Sequence, residues 1–121
     1  MFYLNKDIEK LKLLIKNPSI TLVSCFCASW CRVCHSYQEI FLDLSQKYSN
    51  YCFIWVDIEE NADLIDFYDF NDFPTINIED ISKTTFFGPV LPNFSALDYL
   101  IKYQSSLKCQ ANGVSLFKIL E

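Results

Sequence analysis

A chain of 121 residues that is 51% hydrophobic and 17% aromatic, with Gly 2 and Pro 4, fits one well-filled domain and excludes a disordered or low-complexity chain. Ten Lys and Arg against fifteen Asp and Glu give a net charge of -5, and no basic run or aromatic-basic interleaving offsets it, so nucleic-acid binding is excluded as an expectation. No apolar stretch reaches the roughly 18 residues of a membrane span, and no membrane partner is expected.

In chain order, Asn5 is placed to cap a first helix whose apolar positions Ile8, Leu11, Leu14 and Ile15 repeat at helical spacing until Asn17-Pro18 stops it. Ser19 to Cys27 is nearly continuous in apolar residues and predicts an interior strand covered on both faces. From Cys31 the pattern changes to Cys34, Tyr37, Ile40, Phe41, Leu44 and Tyr48, the buried stripe of a second helix ending near Ser49-Asn50. Tyr51 to Ile58 predicts a second central strand, and Ala62 to Phe70 a short helix. Phe73 to Ile78 opens a third strand with Pro74 near its start, where a missing donor costs least. A tight turn at Glu79 to Ser82 leads into Thr84 to Phe87 and predicts an antiparallel hairpin broken by Gly88-Pro89. Asn93 or Ser95 then caps a last main helix carrying Leu97, Leu100, Ile101 and Leu107. The tail from Cys109 to Glu121 carries a further apolar set, Val114, Leu116, Phe117, Ile119 and Leu120, read either as packed on its own domain or as a strip that joins two copies in a homodimer. The order α-β-α-β-α-β-β-α predicts an α/β fold, a mixed central sheet with helices on both faces. Right-handed crossovers bring the end of the first long strand to the carboxyl edge of that sheet, where ligands usually bind.

At that edge stands Ser29-Trp30-Cys31-Arg32-Val33-Cys34. Two cysteines with two residues between them, at a strand-to-helix turn, form a redox dithiol signature. The spacing on a first helical turn brings both sulfurs within bonding reach and leaves the first near unpaired backbone N–H groups. The expected chemistry is thiol-disulfide exchange.

The arrangement resembles the thioredoxin family over residues 5 to 105. Trp30-Cys31-x-x-Cys34 matches the family's active-site signature, and Phe73-Pro74-Thr75, about forty residues later, matches its cis-proline loop. Gly88 is similar to the glycine that helps frame the family's substrate groove. The resemblance implies a thioredoxin-like domain over residues 1–105 with a C-terminal extension over 106–121. It implies that Cys31 attacks a protein disulfide, Cys34 resolves the mixed disulfide, Trp30 shields the site and Pro74 holds a docking loop that pairs with substrate backbone. The partners so implied are protein disulfides and a thiol or reductase electron donor, with no cofactor. An alternative is a thioredoxin-fold interaction module with little or no redox turnover.

The sequence also departs from the family pattern. Arg32 and Val33 stand where typical members carry Gly-Pro, and Cys25 takes the place of a buried aspartate with Trp55 near the position of its companion lysine. Glu39 replaces a helix-kinking proline, which predicts a straighter active-site helix. Arg32, if it lies over the Cys31 sulfur, favours the thiolate that exchange requires. Cys25 and His35 are expected to tune the dithiol, whereas Cys25, Cys27 and Cys52 otherwise read as core and Cys109 as a thiol near a helix end. Cys25 and Cys27 share a strand face but are expected to lie too far apart for easy bridging.

Cys31-Arg32-Val33-Cys34-His35 also satisfies a c-type haem attachment pattern, but the sole methionine is Met1 and no export signal is seen. No second C-x-x-C supports zinc, and no metal is expected. The acidic residues Asp57, Glu59, Glu60, Asp63, Asp66, Asp69 and Asp72 read as a solvated face. The N-terminal segment lacks the basic start and apolar centre of a signal peptide, so the expected location is the cytoplasm, where most of the six cysteines stay as thiols.

Overall fold

A computed structural model describes residues 1–65, 68–104 and 113–121. The elements are β1 (Phe2–Tyr3), α1 (Ile8–Leu14), β2 (Leu22–Cys27), α2 (Arg32–Lys47), β3 (Cys52–Asp57), α3 (Ala62–Ile65), β4 (Thr75–Glu79), β5 (Thr84–Pro89), α4 (Phe94–Tyr103) and α5 (Leu116–Ile119). They build a five-stranded sheet in the order β1-β3-β2-β4-β5, parallel from β1 through β2 and antiparallel from β2 through β5. β2 lies at its centre and every one of its residues is buried, as its continuous apolar run requires.

The pleat of the sheet sorts the core into two layers. Val23, Cys25 and Cys27 of β2, Phe53 and Trp55 of β3, and Ile76 and Ile78 of β4 face one layer. There they meet Cys34, Tyr37, Phe41 and Leu44 of α2 and Leu97 and Ile101 of α4. The alternating three- and four-residue spacing in α2 keeps that set on one helical stripe. Leu22 and Phe26, with Cys52, Ile54 and Val56, face the opposite layer under Leu11, Ile65, Leu116 and Phe117.

Several boundaries differ from the sequence expectation, and one left open between two residues is settled. Residues Phe2–Tyr3 form a parallel edge strand against Ile54 and Trp55, although so short a segment carries no readable period. The first helix begins at Ile8 after Asp7 rather than after Asn5, because an Asp7 carboxylate oxygen accepts from the Tyr3 N–H at 2.8 Å and holds a turn ahead of it. Gly88-Pro89 does not end the hairpin: β5 runs through both, pairing Gly88 with Ile76 and Pro89 with Thr75. β5 is an edge strand, so the donor that Pro89 lacks is not missed. Asn93, rather than Ser95, caps α4, its side-chain oxygen accepting from the Ala96 N–H at 2.8 Å. The helix α2 runs unbroken through Glu39 over its sixteen residues. Leu107 and Cys109 lie outside the described residues, as does Asp66 of the acidic series.

The C-terminal residues close the second layer. Val114, Leu116, Phe117 and Leu120 are buried, and Ser115 caps α5 through Lys118. Buried polar groups anchor this segment to β4: Glu79 Oε2 accepts from the Leu116 N–H at 2.9 Å and from Asn77 Nδ2 at 3.0 Å, while Asn77 Nδ2 also donates to the Val114 carbonyl at 2.9 Å. Gly113 makes the close approach possible, since a Cβ there would stand 2.8 Å from Thr84 Cγ2 and closer still to Asn77 Oδ1. Gly113→Ala is expected to cost about 1–3 kcal/mol by overpacking. Urea denaturation checks the loss, and faster amide exchange across 114–120 would locate it.

Candidate active site

β2 ends at Cys27, and the chain turns through Ala28, Ser29 and Trp30 before entering α2. The turn is closed by the Cys31 N–H donating to the Ala28 carbonyl at 3.1 Å. Cys31 is the N-cap residue in extended conformation and makes no side-chain capping bond, at the end of α2 where the first-turn N–H groups have no partner within the helix. His35 braces the turn from the helix, its Nε2–H donating to the Ser29 carbonyl at 2.7 Å, and Ser29 Oγ donates to Glu59 Oε1 at 3.1 Å.

The two thiols meet opposite environments. Cys31 is half-buried and open at the mouth of α2, whereas Cys34 is 2% exposed against the core. Burial pushes the Cys34 thiol well above its ordinary range, reinforced by its neighbours Cys27 and Cys31. An accessible sulfur therefore lies in front of a buried, protonated one. Arg32 and Val33, the two residues that follow Cys31 into α2, are exposed.

Facing this edge, Phe73-Pro74 is a cis peptide bond, Pro74 is buried and the Thr75 hydroxyl donates to the Asp72 carbonyl. Trp30 is 69% exposed, so it is a surface flap rather than a core residue, and its ring meets Phe73 edge-on at 5.6 Å. Phe73 continues to Phe70 at 6.4 Å, and Phe70 stacks on Phe26 at 4.8 Å. An aromatic chain thus ties the rim of the dithiol to the cis-proline loop and to the core.

Gly88 sits inside β5, paired with Ile76, and borders a recess with Phe70, Phe87 and the cis-proline loop residues Asp72 and Thr75. The residue after β5 that reaches the cis-proline loop is Val90, whose N–H donates to the Pro74 carbonyl at 3.4 Å and whose side chain packs on the α2 layer. Sequence reasoning passed over Val90, and its position two residues beyond Gly88 was the available signal. Cys25 is fully buried beneath α2, and Cys52 belongs to the opposite layer, its thiol raised by burial to about 11. Cys25 and Cys27 are closer than strand spacing suggested, their sulfurs in contact at 3.7 Å. Among the described residues no group of three or more His, Cys, Asp and Glu side chains is arranged to hold a metal, and no helix is long and apolar enough to cross a membrane.

The thioredoxin family model matches residues 4–86, which include both cysteines of the dithiol and the cis-proline loop. This chain belongs to the thioredoxin family. Thioredoxin H5 of Oryza sativa subsp. japonica is 37% identical over 67 residues, covering 52% of this chain and 50% of the relative, so the chain spans about half the length of that curated protein. Among solved structures, Fasciola hepatica thioredoxin superposes with a TM-score of 0.69 at 21% identity, covering 89% of this chain and 100% of its own. Mitochondrial thioredoxin 3 from Saccharomyces cerevisiae superposes with a TM-score of 0.57 at 26% identity, covering 78% and 88%. The fold is the thioredoxin fold, and the departures at Arg32, Val33, Cys25 and Glu39 are accommodated without breaking α2 or β2.

Proposed function

We propose that the protein is a thiol-disulfide oxidoreductase that reduces protein disulfides through Cys31 and Cys34. One observation carries the reading: an open sulfur at a helix N-terminus with a buried sulfur in the same helical turn behind it. Cys31 attacks a substrate sulfur, the substrate's other sulfur leaves as a thiolate, and a mixed disulfide forms. Cys34 then gives up its proton and attacks Cys31, releasing the reduced substrate and leaving a Cys31–Cys34 disulfide. Electrons return from a thiol or reductase donor of the cell.

Trp30, Phe73 and Pro74 give an extended substrate chain an apolar edge to lie on, and Thr75 fixes the loop from behind. Arg32 and Val33 are the residues at the entrance and are proposed to set partner preference. His35 is a positioning residue that acts through the Ser29 carbonyl. Family membership and the core thiols Cys25, Cys27 and Cys52 fit work in a reducing cytoplasm, which is the proposed location.

Titration in glutathione redox buffers, with thiol labelling and peptide mapping, is expected to show Cys31 and Cys34 oxidising together as one two-electron couple. Cys34→Ser is expected to accumulate mixed disulfides with partner proteins that disappear when Cys31→Ser is added. Two thiols that never pair in the titration, with no adduct on C34S, would leave the chain as an interaction module.

A further inference from the structure

The sulfurs of Cys31, Cys34, Cys27 and Cys25 form a row running from the mouth of α2 into the core. Cys34 neighbours both Cys31 and Cys27, and Cys27 neighbours both Cys34 and Cys25. The last two sulfurs are 3.7 Å apart. The row arises where two periodicities meet: the strand alternation of β2 turns Cys25 and Cys27 toward α2, and the helical stripe of α2 turns Cys34 toward β2. Cys27 and Cys34 also share the wall of a cleft of about 180 Å³, bordered by Tyr3, His35, Gln38 and Trp55. Close by, the Tyr37 hydroxyl is fully buried without a hydrogen-bond partner among the described residues.

We propose that Cys27 is a third redox thiol of this site, and that the Cys31–Cys34 disulfide rearranges internally to a Cys27–Cys34 disulfide. The inference rests on the oxidoreductase reading above. Cys27, once deprotonated, attacks the Cys34 sulfur; the Cys27–Cys34 bond forms, the Cys31–Cys34 bond breaks, and the electron pair leaves on Cys31. The proton released by Cys27 through the cleft is matched by one taken up at Cys31, so the step is redox-neutral and needs no further oxidant. Cys34 neighbours both of the other sulfurs, the adjacency that such a displacement requires.

Rearrangement has a functional consequence. Cys31 returns to the thiol form while the oxidising equivalents stay in the core, and Cys34 is no longer free to resolve an adduct. A rearranged molecule can therefore capture a partner at Cys31 and hold it, where the reduced molecule would release it. Its hydrogen bond to Cys25 and its burial both raise the Cys27 thiol, which keeps the attacking thiolate scarce. The step is slow beside direct reduction and matters when electron donors are scarce.

The test uses the full chain carrying Cys31→Ser, oxidised with oxidised glutathione, isolated as the monomer, alkylated and cut with trypsin. Cleavage after Arg32 separates the peptide with Cys34 from the one with Cys25 and Cys27. A linkage between these peptides is expected in C31S, retained in C25A/C31S and lost in C27A/C31S. In oxidised wild-type protein, iodoacetamide labelling of Cys31 is expected to reappear with time at constant total thiol, because alkylation drains even a small rearranged population. Absence of the C31S linkage, its persistence in C27A/C31S, or no recovery of Cys31 labelling overturns the proposal. Wild-type protein that forms no Cys31–Cys34 disulfide under the same conditions defeats the oxidoreductase reading itself, whereas normal wild-type pairing with no C31S linkage defeats only the third thiol.

Discussion

Cys31→Ser is expected to lower the rate of protein-disulfide reduction about a thousandfold or more, with the fold intact. The size follows from the unequal burial of the two sulfurs. A serine hydroxyl does not ionise near neutral pH and cannot displace a substrate thiolate. Nor can Cys34 substitute, because it is 2% exposed and burial keeps it protonated. A substrate disulfide would have to pass the first turn of α2 to reach it. Steady-state reduction of a disulfide-bonded protein such as insulin, with a dithiol donor in excess, provides the measurement. A C31S variant that keeps more than about a tenth of the wild-type rate above the donor background would place the nucleophile elsewhere.

The features legible in the sequence were those set by local periodicity. The stripe of Cys34, Tyr37, Phe41 and Leu44 and the unbroken run of β2 each bury themselves by a rule that operates within one element, so both were readable directly. The dithiol and Pro74 were readable because their chemistry is concentrated in a few adjacent residues. What escaped depends on partners far away in the chain. β1 is two residues long and exists only because Ile54 and Trp55 offer it a parallel edge. β5 continues through Pro89 because no strand lies beyond it, which no local rule can know. The row of sulfurs needs the register that sets β2 under α2: the shared face of Cys25 and Cys27 was visible, but the arrival of Cys34 beside Cys27 was not. The contact of Val90 with the cis-proline loop was hidden for a related reason, since it depends on β5 passing through Gly88 and Pro89 beside β4.

Glu79 is the most consequential residue that sequence patterning hid, because its partner Leu116 lies 37 positions away. Its carboxyl is buried, and burial raises it from 4.5 to about 7 despite the bonds it accepts from the Leu116 N–H and Asn77 Nδ2. Between those two values the folded protein holds a proton that the unfolded chain has released. Stability must then fall as pH rises through that window, by a total on the order of 3 kcal/mol, and level off above it. Asp98 works in the opposite sense, held below its ordinary range by hydrogen bonds from Lys47 and Tyr48, and its contribution is lost only in more acid solution. Glu79→Gln keeps an oxygen to accept from the Leu116 N–H and removes the ionisation. Urea denaturation of both proteins from pH 5 to pH 8 is expected to give a falling curve for the wild type and a flatter one for E79Q, the two separating up to about pH 7 and keeping a constant gap above it. Amide exchange at Leu116 is expected to quicken with pH in the wild type beyond the intrinsic hydroxide dependence seen in E79Q, because a charged Glu79 loosens α5 first. Parallel stability curves for the two proteins would mean that the carboxylate reaches solvent and that apolar packing alone holds the C-terminal segment.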